Sequence, residues 1–141
     1  MTHGPREWTL GHNTLRYEPP NLFWFKFGDR MTLEDAIGVV SIYQEMREQR
    51  PFLFVAEMRE LGRYDPEAGR YLSEHLPSEW FLGKIFIKAR LLHRAFVKGI
   101  ALASLMGEHV DEHAVEKLHH VSSPEQAHEL IARLRQRHQA A

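Results

Sequence analysis

Two groups of side chains have the types and spacing to do chemistry. His109-Val110-Asp111-Glu112-His113 matches H-x-x-E-H, in which two histidines one helical turn apart hold zinc and the glutamate acts as base. Such a site needs a stable helix and a third ligand, whereas this segment follows Gly107 in a polar connection, in a chain with ten histidines. His109 and His113 are thus weak metal candidates, and a zinc hydrolase using Glu112 ranks last among the readings. His119-His120 could add a ligand, but neighbours on a strand face opposite ways, so only one could join. The second group is Arg59, Arg63 and Asp65, just after one apolar run, with Arg90 just after another. Guanidinium forks gathered at strand ends suit an anion or a partner segment. No glycine-rich phosphate loop follows any strand, and His93, on a mostly apolar helix, reads as a structural histidine rather than a base.

The elements that must position these residues are legible. Trp8–Leu10 and Thr14–Tyr17 flank Gly11-His12-Asn13 as hairpin strands flank a short turn. LFWFKF, residues 22–27, reads as a strand with at least one buried face. Thr32 with Asp35 forms a variant capping box, and apolar residues at helical spacing predict a helix from Leu33 to about Gln49. PFLFVAEM, residues 51–58, suits a strand covered on both faces, and the chain is built around it. Asp65 can cap the next helix, with Pro66 at its first position and its end near His75. Trp80-Phe81 is expected to pack at the core edge, followed by a strand over Lys84–Ala89 and an apolar helix ending before Gly107. Leu118–Val121 is a short strand candidate, and Ser123-Pro124-Glu125-Gln126 opens a last helix.

Composition narrows the function classes. The 141 residues carry a formal net charge of -1, which implies no general attraction to nucleic acid or anionic membrane. No cysteine is present, so thiolate metal sites and disulfides are excluded and the fold must hold by packing. The first twenty residues lack the apolar segment of a secretory signal. The most apolar stretch, Leu91–Met106, is interrupted by Arg94 and Lys98 and falls short of the roughly 18 apolar residues that span a bilayer. A cytoplasmic protein is expected, with no integral membrane segment.

The order of elements and the turn chemistry resemble a known family. AEMRELGRYDPEAGRYL, followed by a strand, an apolar helix, a short strand and a helix headed by SSPEQAHELI, resembles STAS domains, the anti-sigma-factor-antagonist fold. In layout it is most similar to the divergent SpoIIAA-like group, related in shape to lipid-binding Sec14-type domains, over roughly residues 20–136. In the antagonists a serine after the aspartate is phosphorylated to release the partner; here Asp65 is kept and Pro66, without a hydroxyl, takes the serine's place. Ser41 and Ser73 do not match that motif. The resemblance implies a non-enzymatic regulatory or protein-interaction module with no cofactor and no phosphoserine switch at this turn. Arg59, Arg63, Asp65 and Arg90 would meet a protein partner or small ligand, and a homodimer is compatible with this reading. A Sec14-like lipid or small-molecule binding domain is the alternative. The expected fold is α/β: a single STAS/SpoIIAA-like domain over 1–141, with an N-terminal hairpin (1–20) and a core (21–138). Its mixed sheet should be mostly parallel, with about four helices and right-handed crossovers.

Overall fold

The computed structural model describes residues 4–88 and 116–140. Strands β1 (Arg6–Leu10), β2 (Asn13–Glu18), β3 (Leu22–Lys26), β5 (Phe52–Glu57), β7 (Phe81–Ile87) and β8 (Leu118–Val121) form one six-stranded mixed sheet in the order β1-β2-β3-β5-β7-β8. The first three pair antiparallel; β3, β5, β7 and β8 run parallel. A separate parallel pair, β4 (Arg30–Met31) with β6 (Arg63–Tyr64), joins two loops. The described helices are α1 (Leu33–Glu45), α2 (Pro66–His75) and α3 (Pro124–Ala140).

Three α-helices stand among the described residues against about four expected; the one expected over Leu91–Met106 lies outside them. Within the described part the main-sheet strands and helices from β3 to β7 alternate as the sequence predicts, with the short β4 and β6, read in the sequence only as turns, added between them. Helix α1 stops earlier than expected, at Glu45, and a short 3-10 turn at Arg47–Gln49 carries the chain to Pro51. Strand β7 starts earlier, at Phe81, because the Ser78–Trp80 turn is short and a register shift opposite Phe52 and Leu53 absorbs one extra residue.

The period-two alternation of the strands explains the layering. Phe23, Phe25, Phe52, Ala56 and Phe86 point to the face covered by α1 and α2, while Leu22, Trp24, Leu53, Val55, Ile85 and Ile87 meet α3. Strand β5 is thus covered on both faces, as its unbroken apolar run requires. Phe23 sits at the aromatic centre of the first layer, 4.5 Å from Tyr43 and 5.2 Å from both Tyr17 and Phe52, measured between ring centroids. Leu15 and Tyr17, both fully buried, come from β2. At about 1.5–3 kcal/mol for each large side chain buried, the N-terminal hairpin is part of the core and not an appendage.

The hairpin is tied down by a polar knot. Gly11 takes φ +62, as the first residue of such a turn requires, and a Cβ there would lie 2.6 Å from Asp35 Oδ1. Asn13, fully buried, donates to the carbonyls of Leu10 and Arg30 (3.1 Å each) and to Asp35 Oδ2 (3.2 Å), and its own oxygen accepts from Gly28 N at 2.9 Å. Asp35 also completes the expected capping box: its Oδ2 accepts from Thr32 N at 3.0 Å, while Thr32 Oγ1 accepts from Asp35 N at 3.2 Å. One carboxylate thus fastens the hairpin to the start of α1.

At α3 the cap has its expected residues with one register change. Ser123 Oγ accepts from Gln126 N at 3.2 Å, but Gln126 Oε1 reaches back to Ser122 N at 2.8 Å. Trp80 is half-buried, edge-on to Phe52, with the Arg50 guanidinium 4.8 Å above its ring; Phe81 is buried, so the pair packs at the core edge.

Candidate functional site at the carboxyl rim of the sheet

The parallel strands end level. Lys26 stands opposite Glu57 and Glu57 opposite Ile87, so the segments after β3 and β5 emerge side by side. Two backbone bonds continue the ladder past the strands, Phe27 N to Glu57 O at 3.1 Å and Met58 N to Ile87 O at 3.2 Å. From there the Met58–Asp65 turn is pinned at several points. Gly62 N and Arg63 N both donate to Asp29 O, at 3.0 and 2.8 Å, and Asp65 N donates to Met31 O at 2.9 Å. Met58 and Leu61 are buried beneath the turn, while Arg59, Glu60 and Arg63 face outward. An exposed turn with an anchored backbone loses little freedom on contact, which favours recognition.

Of the predicted site residues, Arg63 and Asp65 are brought together: Arg63 Nε lies 3.1 Å from Asp65 Oδ1. Arg30 Nη2, which the sequence did not single out, lies 3.9 Å from Asp65 Oδ2. The expected capping role of Asp65 is corrected here. It occupies the N-cap position of α2 but makes no side-chain bond to the helix amides, because its carboxylate turns to the two arginines. Arg59 forms no ion pair among the described residues and projects freely. Arg90 lies outside the described residues, as do His93, His109, Glu112 and His113. Next to the turn, His12 Nδ1 bonds Asp29 Oδ1, and that hydrogen bond holds the Asp29 carboxyl below its usual range. The rim therefore presents charges of both signs, with Arg59, Arg63 and Asp29 all exposed. Glycine, aspartate and arginine at 28–30 read only as a turn in the sequence; the level strand ends are what carry Arg30 into the site.

No group of three metal-ligating side chains comes together among the described residues. His119 and His120 face opposite sides of the sheet. His120 lies 5.5 Å from the Phe86 ring; His119 is packed toward α3, where burial first and then Arg137 and Arg133 hold its pKa down. His75 stacks on Tyr71 at 3.9 Å and bonds its carbonyl. No described helix is long and apolar enough to cross a membrane.

Beneath the rim turn lies a cavity of about 110 Å³. Phe25, Phe54 and Phe86 of the sheet, Val39 and Tyr43 of α1, Leu72 and Leu76 of α2, and Met31, Met58 and Tyr64 of the rim loops contribute to its lining. The turn that exposes Arg59 and Arg63 thus sends Met58 inward to this space. Burial pushes the Tyr43 and Tyr64 hydroxyl pKa values upward, and the Tyr43 hydroxyl has no hydrogen-bond partner among the described residues. Nothing in the sequence pattern marks this space, since each lining residue reads singly as ordinary core.

No protein-family model matches the chain, and no curated protein matches it.

Proposed function

We propose that this chain is a non-enzymatic regulatory or protein-interaction module of STAS/SpoIIAA-like kind, cytoplasmic, which docks a protein partner or small ligand at the carboxyl rim of its parallel strands. The observation that carries the reading is the Met58–Asp65 turn, its backbone tied to Asp29 and Met31 and its arginines turned outward. Ligands of open α/β sheets dock at such strand ends, where loops from neighbouring strands meet on a rigid base. Pro66 offers no hydroxyl to phosphorylate, so docking at this turn would be governed by shape and charge. The arginines supply the charge: Arg59 makes no ion pair among the described residues, and the exposed pairs that hold Arg63 and Arg30 are each worth only about 0–1 kcal/mol, little to give up on binding.

Capture from a lysate of the native cells, read by quantitative mass spectrometry, tests this. Protein recovered by the wild-type chain should fall at least about tenfold with the charge-reversal pair Arg59→Glu and Arg63→Glu, and stay level with Arg133→Glu on the opposite face. Equal recovery by the rim pair and the wild type would end the proposal. A lipid-binding role is less well supported, because the cavity described among residues 4–88 and 116–140 is well below the roughly 300–1,000 Å³ of typical ligand pockets. Zinc hydrolysis draws no support from the described residues.

A further inference from the structure

We infer that two copies of this chain pair through β1, antiparallel and centred on Trp8, so that their sheets join into one. This goes beyond rim docking and stands independently of it. Two observations carry it: the hydrogen-bonding phase of the open edge and the side chains that flank it.

Strand β1 ends the sheet, and among the described residues its one strand neighbour is β2. Leu10 stands opposite Asn13 across the two-residue turn Gly11-His12, with Gly11 at φ +62, and a turn of this kind is closed by hydrogen bonding between its flanking residues. Hydrogen-bonded pairs alternate along an antiparallel ladder, so the peptide groups of Leu10, Trp8 and Arg6 point to β2 and those of Thr9 and Glu7 point outward. Both of these side chains are exposed. The outward groups match their own copy across a two-fold axis. With the axis at Trp8, Glu7 meets the partner's Thr9 and Thr9 meets the partner's Glu7, each pair exchanging both of its backbone hydrogen bonds.

Other registers do worse. Centred on Glu7, the pairing sets two carboxylates face to face and puts Thr9 opposite Pro5, which has no N–H. Centred on Thr9, it places Glu7 opposite Gly11, inside the turn. At Trp8 no like charges oppose each other.

The side chains suit this register. Trp8 meets the partner's Trp8 at a non-hydrogen-bonded position, where side chains come closest. Trp8 stacks on Phe23 at 6.4 Å and is half-buried, so part of its surface is left to cover. Arg6, its guanidinium 4.7 Å from the Trp8 ring centroid, falls opposite the partner's Leu10. Helix α1 runs beside the seam: a Cβ on Gly38 would lie 2.8 Å from Leu10 Cδ2, and Glu45 Oε1 lies 3.3 Å from Arg6 Nη1. Ile37, on the same helical stripe as Ser41 and Glu45, is the one large apolar side chain exposed among the described residues, at 44%. Because β1 runs the same way as β3, an antiparallel seam sends the two carboxyl rims to opposite ends of the joined sheet, clear of the contact.

Sedimentation of the full chain over a dilution series reads the association, and amide hydrogen exchange by NMR reads its place. The wild type should pass from monomer to dimer as concentration rises. Exchange of the Glu7 and Thr9 amides should slow with it, while the Trp8 and Leu10 amides, already bonded to β2, stay unchanged. Thr9→Glu, which opposes like charges at both Glu7 positions, should weaken the dimer about tenfold, and Thr9→Lys, which opposes unlike charges there, should tighten it by about threefold or more. Three results would overturn the inference: a monomer at every concentration up to about 1 mM, a dimer that responds alike to both substitutions or to neither, or association that leaves the Glu7 and Thr9 amides exchanging as before. The Arg59→Glu, Arg63→Glu pair should dimerise as the wild type does, so failure of rim docking and failure of the β1 seam are separately visible.

Discussion

Asn13→Ala should cost this protein about 3 kcal/mol, far more than a single amide usually carries. Its Nδ2 lies 3.1–3.2 Å from two backbone carbonyls and the Asp35 carboxylate, and its Oδ1 holds Gly28 N at 2.9 Å. Truncation would leave the Gly28 amide without this acceptor in a part-buried setting, at about 1–3 kcal/mol, and would take one donor from the carboxylate that caps α1. The Asp35 loss adds a buried bond to a charged group, about 1.5–3 kcal/mol at full burial. Urea titration should show the midpoint falling with the slope unchanged, and thermal melting should show a drop of about 10 °C for a chain of this size. If the knot acts as one unit, Asp35→Ala and Asn13→Ala together should cost about 1 kcal/mol less than their separate effects combined. A loss within about 0.5 kcal/mol, the range of ordinary surface substitutions, or strict additivity in the double mutant, would refute the view that this network joins hairpin to helix.

Gly11→Ala should destabilise by about 2 kcal/mol in chemical denaturation, because φ +62 disfavours any Cβ and this one meets Asp35 Oδ1 at 2.6 Å; an unchanged midpoint would contradict the described turn. His119 has a folded pKa below its usual 6.5, chiefly through burial and then through Arg137 and Arg133, so the unfolded chain binds the proton more readily. Its neutral form is accommodated fully above about pH 6.5, and stability should fall as pH drops from there toward the lower folded value; melting curves of His119→Gln should lack that part of the acid slope, and parallel curves for variant and wild type would count against it.

Much of the fold was legible because its signals are local. The apolar run 52–57, the Thr32 and Asp35 box, Pro66 after Asp65 and the Ser123-Pro124 start each set an element through short-range contacts, and α2 runs over the predicted residues. The rim was legible by topology: parallel strands place the turn after β5 at the carboxyl ends. What the residues do there was less so. Asp65 has the side chain of a helix cap, but Arg63 and Arg30 compete for its carboxylate, and Arg30 arrives from a segment some 35 residues earlier in the chain. Arg90 and the H-x-x-E-H segment fall outside the described residues.

Residue types and their spacing alone determined where strands and helices form, that β5 would be covered on both faces, and that a charged turn would follow it. Hydrophobic periodicity and capping are properties of neighbours along the chain, so one sequence carries them in full. Only the tertiary structure decided that the N-terminal hairpin completes the core through Asn13 and Asp35, that Arg30 joins the rim, and that Tyr43 and Met58 border one pocket. Those are meetings of segments far apart in sequence, set by how the helices pack on the sheet.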